Sequence, residues 1–557
     1  MNLLQMVSQI TRYKFYLNRS GSYVFPIYIA LILNSCYTQP KNKAIFRYNE
    51  VSGIASLDPA FAKSQSVMWA VHQLYNTLVE IDSNTNIIPS LAKSWEVSAD
   101  KKTFTFHLRT DVFFHENRTL FNNKPRRLTA QDVVYSLKRI IDPATASSGA
   151  WIFNDKVSGN SGFIAEDDST FKLILLKPFN PILGLLSMQY CSIVPHEAVD
   201  IFGKDFRRHP IGTGPFKLVA WEEGQAMILV KNTNYFERDS MGKRLPYLDG
   251  IKISFFDNKA TEFLEFRQGR LDFVNDIDAS FKDEILTRQG NLKKEWEGKI
   301  ILSKHSYLNI EYLGILVDTN SIYVKNSPLN LKNIRQAINY AINRPKMMLY
   351  LRNSIGTPAE RGFIPAGLPS FDSVDFKGYK YDQQKAIDLL NQAGYANGKG
   401  LPVITLLTIP QYADLASYIA NDLMQVGIKI QVEAIQKSLL LQETANSQAA
   451  FFRGSWIADY PDAENYLSVF YSRNPAPPNY TRYSNIAFDK LYEQALAETN
   501  DSARWALYRK ADQLVIDDAA VVPLWYDMVL RLTQPYVKDF YANSLNLLEL
   551  RRTYMLN

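Results

Sequence analysis

Residues 456–466 have the residue types and spacing that best fit a ligand-binding site in this chain. Trp456 and Tyr460 flank Asp459, and Pro461 follows as a turn residue. Aromatic walls exclude water from a carboxylate placed between them, and a drier environment strengthens its attraction for a cation. Such a site would bind a small cationic group. The alternative is a surface loop whose acids are solvated and bind nothing.

The sequence lacks the motifs of the common hydrolases, metalloproteases and nucleotide-binding enzymes. No H-E-x-x-H, G-x-S-x-G or P-loop pattern occurs. Gly212-Thr213-Gly214 precedes a strand pattern rather than a helix start, which favours a turn over a phosphate loop. His107 and His115 have no cysteine or paired histidine nearby. We therefore predict no enzymatic activity, no cofactor and no metal site.

Composition is typical of a globular protein with more than one domain. The 557 residues are 46% hydrophobic and 21% charged, and this length exceeds what a single core usually supports. The formal net charge of +6 is small for the size. Since no block of lysine and arginine marks a nucleic-acid-binding surface, we predict no nucleic-acid partner.

The N-terminus has the pattern of an export signal. Basic residues precede an apolar run at residues 24–33, which is too short to span a bilayer. The run leads into Leu33-Asn34-Ser35-Cys36, which resembles a lipobox. We predict that residues 1–35 are a lipoprotein-type signal peptide, that Cys36 is lipidated and that residues 36–44 are a tether. An ordinary signal peptide with an incidental cysteine, or a translation start at Met6 or later, remains open.

An alternation of helix and strand patterns predicts an α/β fold. Residues 103–108 alternate between apolar and polar types, as in a half-buried strand. Thr129 and Asp132 form a capping box that opens an amphipathic helix. Residues 415–426 read as a second helix, and Gly427 leads from it into another strand.

Eight segments resemble the signature elements of family 5 extracellular solute-binding proteins, the peptide and nickel type of ABC importers. The segment Trp456-x-x-Asp459-Tyr460 matches the element that binds the ligand's amine in the peptide binders. The other matching elements are Leu91-Ala92-x-x-Trp95 with the strand that follows it, Leu128-Thr129-Ala130-Gln131-Asp132, Gly212-Thr213-Gly214-Pro215-Phe216, Asn232-x-x-Tyr235, Tyr247-Leu248-Asp249-Gly250, Asn333-Ile334-Arg335-Gln336-Ala337 and Ala520-Val521-Val522-Pro523-Leu524-Trp525.

The resemblance implies a two-lobed periplasmic-binding-protein fold, with an extra inserted domain and a ligand cleft between the lobes. On this basis we expect residues 45–85, 206–305 and 520–557 to form the first lobe. Residues 86–205 would be the domain inserted on that lobe, and residues 306–519 the second lobe. Hinge rotation would close the lobes over a ligand.

The resemblance also implies roles for individual residues. Asp459 would bind a peptide's α-ammonium, and Arg453 would meet its C-terminal carboxylate or, alternatively, pair with a protein acid. Trp456 and Tyr460 would wall the pocket or belong to the core. Two strand edges of small residues would pair with the peptide backbone; they contain Gly53, Ile54 and Ala55 in one case and Gly454 and Ser455 in the other. Asp462 and Glu464 are expected to be charges on the loop surface.

We therefore predict a lipid-anchored protein of the cell envelope that captures peptides and delivers them to an ABC transporter permease. It is expected to act as a monomer and to reach the membrane through its N-terminal lipid. Two alternatives remain open. The same fold could bind a nickel complex, haem or an oligosaccharide, or the protein could be a peptide-sensing signalling receptor.

Overall fold

The computed structural model describes residues 43–122, 124–277, 279–325, 327–372 and 375–556. The predicted signal peptide, Cys36 and most of the predicted tether lie outside them. In the described part of the chain, no helix is both long and apolar enough to cross a membrane. Residues 44–557 form one compact unit.

Strands run through the whole of this unit. In chain order they are β1 Ile45–Asn49, β2 Val79–Ile81, β3 Ile87–Pro89, β4 Ala92–Val97, β5 Thr103–Leu108, β6 Phe163–Ala165, β7 Thr170–Ile174, β8 Phe216–Glu222, β9 Ala226–Lys231, β10 Gly250–Ser254, β11 Phe273–Asn275, β12 Ile301–Ile315, β13 Thr357–Pro358, β14 Ile404–Thr408, β15 Ile430–Ala434, β16 Phe451–Ile457, β17 Val521–Thr533, β18 Val537–Lys538 and β19 Tyr554–Met555.

Helices alternate with these strands and pack on their faces. They are α1 Gln65–Leu74, α2 Arg118–Phe121, α3 Ala130–Ile141, α4 Ile182–Leu186, α5 His196–Phe202, α6 Lys259–Arg267, α7 Ala279–Ile285, α8 Ile322–Lys325, α9 Lys332–Ala341, α10 Arg344–Leu351, α11 Gln383–Gln392, α12 Ala413–Met424, α13 Lys437–Ala445, α14 Glu464–Leu467, α15 Ile486–Ala497 and α16 Asp501–Asp517.

Three sheets of four or more strands, together with two two-stranded sheets, organise the described part of the chain. One has the order β1-β10-β9-β8 and another the order β4-β5-β7-β6. The largest has the order β11-β17-β12-β16-β14-β15, and β13 also pairs with β17. This mixture of sheets and helices confirms the predicted α/β class.

Two long antiparallel strands, β12 and β17, connect the two lobes. At one end, Ile301 pairs with Thr533, next to β11. At the other end, Gly314 pairs with Val521, next to β16. The register shifts between Ser306 and Ile310, where the strand pair passes from one lobe to the other. An irregularity of this kind bends a strand and changes its twist locally.

Separate hydrophobic cores fill the two lobes. One core unites residues of the β1 and β4 sheets with α1 and α3, so the segment predicted as an inserted domain packs on the first lobe. Two further cores lie in the second lobe, and the second-lobe half of β17 contributes Val521 and Trp525 to them. The boundaries of the predicted domains remain predictions.

Several local sequence signals are confirmed. The side chains of β5 alternate between buried and partly exposed positions. Thr129 and Asp132 form the predicted capping box at the start of α3. Gly427 adopts a φ of +92° after α12, a conformation that glycine reaches without steric cost.

A buried charge cluster fixes the C-terminal segment to the first lobe. Arg551 donates hydrogen bonds to Glu80 at 2.7 Å and to Glu549 at 2.6 Å, and it also pairs with Glu237. The combined attraction of these carboxylates raises the pKa of Arg551 above its ordinary value despite burial. His72 lies 3.0 Å from Glu549 and extends the cluster toward α1.

Candidate ligand-binding site

A cavity of about 290 Å³ lies between the two lobes, and Asp459 forms part of its wall. Helix α1 supplies one side, residues 187–192 supply a second side, and residues 457–459 supply the opposite side. Aromatic and sulfur-containing side chains make much of the lining apolar. They are Trp69, Tyr75 and Tyr307, with Met68 and Met188.

The Asp459 carboxylate is open to the cavity but surrounded by protein on its other sides. Asp459 is exposed at the cavity surface, but desolvation by the protein around it raises its pKa, and the Asn465 side chain opposes the rise. Among the described residues, no arginine, lysine or histidine forms an ion pair with Asp459. The site therefore presents a carboxylate that forms no ion pair in the described chain and faces a largely apolar cavity, whose lining also includes Lys63, His72 and Glu80.

Tyr460 lies in the core beside the cavity, and Trp456 is partly buried and packs against a second-lobe core. The indole Nε1 of Trp456 donates to Asn465 Oδ1 at 2.9 Å. Tyr460 is buried against Gly184 of α4 and joins the core of the first lobe, although its loop belongs to the second. Trp456 thus fixes Asn465 next to Asp459, and Tyr460 holds the loop against the opposite lobe.

The prediction that Asp462 and Glu464 are surface charges is wrong. Glu464 is buried and accepts hydrogen bonds from the hydroxyl groups of Tyr460 and Tyr492. Asp462 forms a largely buried ion pair with Arg504 of α16. The loop turns inward after Pro461, and these partners compensate the cost of burying its acids.

The predicted strand at Gly454 and Ser455 is confirmed as part of β16. The Ala458 N–H donates to Leu308 O at 2.8 Å, so alternate backbone groups face β12 and those of Ser455 and Ile457 face away. On that other side, β14 pairs with β16 at Phe452, and no strand of the described chain pairs with Ser455 or Ile457. This edge is free to bind an extended backbone.

The small size of Gly454 has a structural explanation. A Cβ atom at this position would lie 2.7 Å from Cζ of Tyr312, which is directly opposite on β12. The glycine therefore accommodates an aromatic ring of the protein's own core. A close approach by a ligand is not needed to explain it.

The segment containing Gly53, Ile54 and Ala55 does not form the predicted strand edge. It follows β1 as a turn and an irregular stretch, and Gly53 has a φ of +66°. Just after this segment, Leu57 N–H donates to the backbone carbonyl oxygen of Arg207 at 2.9 Å. The left-handed glycine breaks the extended conformation that a strand edge requires.

Arg453 has a protein acid as its partner. It forms an ion pair with Glu311 of β12, and its guanidinium stacks 3.7 Å from the ring centre of Tyr412. Only 11% of the Arg453 side chain and 4% of the Glu311 side chain are exposed. Neither residue lines the cavity around Asp459, so the structure separates Arg453 from the predicted amine site.

Helix α1 is the part of the site that our sequence reasoning missed. Gln65, Met68, Trp69 and His72 all line the cavity. Their spacing of three, four and seven residues places them on one face of a helix. That stripe was visible in the sequence, but such stripes usually mark a core.

A second cavity of about 570 Å³ lies on the other side of the Tyr460 loop. Its lining combines residues 95–101 and 180–184 with residues 461–463 and part of α16. Hydrogen bonds that cross between the lobes here include those from Lys101 Nζ to Ala497 O at 3.0 Å and from Asn180 N–H to Leu496 O at 3.2 Å. Both donors meet carbonyl groups at the C-terminus of α15.

Residues 86–477 match the family described as bacterial extracellular solute-binding proteins, family 5, middle region. The chain belongs to this family. Its members are extracytoplasmic substrate-binding proteins of ABC importers, so the chain is a transport protein and not an enzyme. The predicted family and the two-lobed α/β fold are thereby confirmed.

Individual relatives match over most of this chain. Heme-binding protein A of Haemophilus influenzae is 28% identical over 488 residues, which are 84% of each protein. The dipeptide-binding protein of Escherichia coli is 26% identical over 495 residues, covering 85% of this chain and 87% of the relative. The periplasmic binding protein DppA of Helicobacter pylori, solved with the peptide STSA, has a TM-score of 0.70 at 26% identity. That match covers 92% of this chain and 98% of DppA.

Proposed function

We propose that this protein binds peptides with a free α-amine and delivers them to an ABC transporter permease. The observation that carries the proposal is the Asp459 carboxylate, which faces the interlobe cavity and forms no ion pair with another described residue. A ligand that fills the cavity would bury this carboxylate; a buried carboxylate is costly unless it is paired, and a peptide's ammonium would supply the missing charge. The E. coli and H. pylori relatives, a dipeptide-binding protein and a protein solved with a peptide, support the same ligand class.

The surroundings of Asp459 fit the rest of a peptide. The free edge at Ser455 and Ile457 offers backbone groups for pairing, which is how extended peptides add to a sheet. The apolar lining from Met68, Trp69 and Tyr307 would accept a side chain without selecting one polar group. A volume of about 290 Å³ lies at the lower end of the range for small-molecule pockets, about 300–1,000 Å³, which suits the first residues of a peptide.

The test is direct identification of the ligand, followed by titration. The protein from residue 37 onward is purified, and ligands that co-purify are identified by mass spectrometry. The stripped protein is then titrated with a peptide and with its N-acetylated form. We expect the free peptide to bind and the acetylated peptide to bind at least tenfold more weakly. Equal affinity for the two forms, or a co-purifying sugar, haem or metal complex, would overturn the proposal.

We further propose that the lobes close on the ligand by hinge rotation at β12 and β17. The register shift after Ser306 supports a bend at this point, and the hydrogen bonds of Lys101 and Asn180 to α15 would hold the closed form. The predicted domain boundaries define the bodies that would move. Small-angle scattering should show a smaller radius of gyration with saturating peptide. Unchanged curves would contradict closure.

The predicted lipid anchor completes the proposal. Cys36 lies outside the described residues, and the argument for acylation is the lipobox-like Leu33-Asn34-Ser35-Cys36. A lipid at Cys36 would hold the binding unit near a membrane permease. Cys36→Ala should move the protein out of the membrane fraction or leave its signal peptide uncleaved. A variant with wild-type mass and unchanged membrane association would exclude lipidation at this residue.

A further inference from the structure

The strand pair β12 and β16 presents one continuous face that changes in character along its length. Leu313 and Phe451 of this face are buried in a second-lobe core. Farther along the same face, Tyr307 and Ile457 line the cavity that contains Asp459. Side chains two residues apart share a face of a sheet, so the residues between these points lie between the core and the cavity. Glu311 and Arg453 occupy that position.

A compact charge cluster surrounds Glu311. Arg453 pairs with Glu311, and Asn309 Nδ2 links Glu311 at 3.4 Å to Asp527 at 3.1 Å. Arg352 pairs with Asp527 at 3.2 Å. The cluster therefore contains two guanidinium groups and two carboxylates, and its formal charge is zero.

The cluster has unused hydrogen-bond donors but no unused positive charge. Nε of Arg352, Nε of Arg453 and Nε1 of Trp525 are buried without a hydrogen-bond partner in the described structure. An uncharged carbonyl group could satisfy such a donor without disturbing either ion pair. A carboxylate would add a third negative charge and compete with Glu311 for Arg453. Separating a buried charge from its partner is strongly unfavourable.

The distance from Asp459 indicates which part of a ligand reaches this cluster. Asp459 and Arg453 are six residues apart in the sequence, and β16 ends at Ile457, so the two are at most about 20 Å apart. An extended peptide spans about 3.3–3.6 Å per residue, so a peptide anchored by its amine at Asp459 reaches the cluster within about its first six residues.

We propose that Glu311 determines specificity at this end of the site, by making the cluster disfavour a free α-carboxylate and accept an uncharged backbone or amide. The proposal rests on the proposed peptide-binding function and on the amine anchor at Asp459. Without Glu311, the Arg453 guanidinium would be free to bind a carboxylate through two parallel hydrogen bonds. Glu311 therefore acts on the ligand by occupying Arg453.

The proposal has a consequence for pH dependence. Burial raises the pKa of Glu311 to about 7, against the opposing effect of Arg453. The other charged or titratable groups facing it are Asp527, Arg352 and Tyr412. Below this pKa, Glu311 is neutral and Arg453 keeps its charge, so a ligand carboxylate gains affinity. The carboxylate of the ligand has a pKa of about 3.5 and stays ionised.

The experiment compares a hexapeptide acid with the same hexapeptide as its C-terminal amide. The wild type and Glu311→Gln are titrated with both at pH 8. We expect the ratio of the two dissociation constants to shift toward the acid by at least tenfold in Glu311→Gln. The double variant Glu311→Gln/Arg453→Gln, which lacks the free guanidinium, should return to a ratio close to wild type. Circular dichroism checks that each variant is folded.

Glu311→Gln leaves Arg453 buried without its partner, so a second arm of the experiment uses the wild type alone. Wild-type affinity for both hexapeptides is measured from pH 8 to pH 6. The relative affinity for the acid should rise as the pH falls, and ionisation of the amine cancels because both peptides share it. A ratio that is constant with pH and unchanged in Glu311→Gln would overturn the proposal.

Two other outcomes separate this proposal from the proposed function. If dipeptides bind through Asp459 and no hexapeptide binds, the site ends before Glu311. The specificity role is then wrong while the peptide function stands. If no peptide of either length binds wild type, the peptide function is wrong and the role of Glu311 falls with it.

Discussion

Replacing Asp459 by alanine tests the central electrostatic contact of the proposed site. The carboxylate faces a cavity of about 290 Å³ and forms no ion pair with another described residue. Its replacement should therefore change the ligand-free protein little, because no ion pair is broken. The bound state should lose the attraction between the carboxylate and the ligand's ammonium.

The size of the loss follows from the environment of the carboxylate. Truncating one partner of a buried, hydrogen-bonded charge pair costs about 2–5 kcal/mol. Asp459 is open to the cavity before the ligand enters, so we expect the lower part of that range, about 2–3 kcal/mol. At about 1.4 kcal/mol per factor of ten, this is a loss of about 30-fold to 150-fold in affinity.

The assay is isothermal titration of wild type and Asp459→Ala with a peptide and its N-acetylated form. Acetylation removes the ligand's charge, so it should weaken binding to wild type by a similar factor. Both changes remove one interaction, so the double change should cost little more than either single change. Asp388→Ala, an exposed position on α11, serves as the control and should bind like wild type.

Two results would refute this reasoning. Asp459→Ala could bind the free peptide within twofold of wild type, which would show that the carboxylate is not the anchor. Alternatively, the losses from acetylation and from the substitution could add in full. Additivity would mean that the ligand's amine and Asp459 act at different places, and the amine would then need another acceptor.

Three further predictions concern pH, packing and stability. Because desolvation raises the pKa of Asp459, peptide affinity should fall as the pH drops through that pKa. Affinity should also fall above about pH 8, where the α-amine of the peptide loses its proton. In a pH titration, Asp459→Asn should lack the fall on the acidic side. Gly454→Ala places a Cβ 2.7 Å from Tyr312 and should destabilise the fold by about 1–3 kcal/mol in thermal or urea unfolding, whereas Ser455→Ala on the same strand should leave the midpoint unchanged. Burial raises the pKa of Asp512 to about 7, so the folded state binds more protons than the unfolded state between about pH 4 and 7. The free energy of unfolding should therefore decrease as the pH rises through this window. Asp512→Asn should weaken that decrease, and an unchanged slope would contradict the prediction.

Local signals in the sequence predicted local structure well. The capping box of Thr129 and Asp132 involves residues three apart, so the sequence contains the whole interaction. The alternating pattern of β5 likewise records which side chains face the core. These features depend on residues that are close together in the sequence. Their arrangement in the fold was predicted from the family resemblance.

Partnerships between distant residues could not be predicted in this way. Arg453 pairs with Glu311, which is 142 residues away, and nothing near either residue in the sequence marks the pair. The fit of Gly454 to Tyr312 depends on the register of β12 with β16. The inward turn of Asp462 and Glu464 depends on Arg504 and on two tyrosine hydroxyl groups. Exposure was expected there because acids in a proline-containing loop are usually solvated.

The charge cluster of Arg551 also affects how the protein is made. Glu80 and Arg551 are 471 residues apart, yet Arg551 compensates the buried Glu80 together with the partly buried Glu237 and Glu549. During synthesis, the first lobe therefore contains uncompensated acids until almost the entire chain has been produced. A polypeptide with these charges unpaired remains loosely folded. It can therefore still be threaded through a pore, and it is also exposed to proteases. Premature termination shortly before residue 551 would consequently yield a chain that is cleared rather than one that is merely shorter.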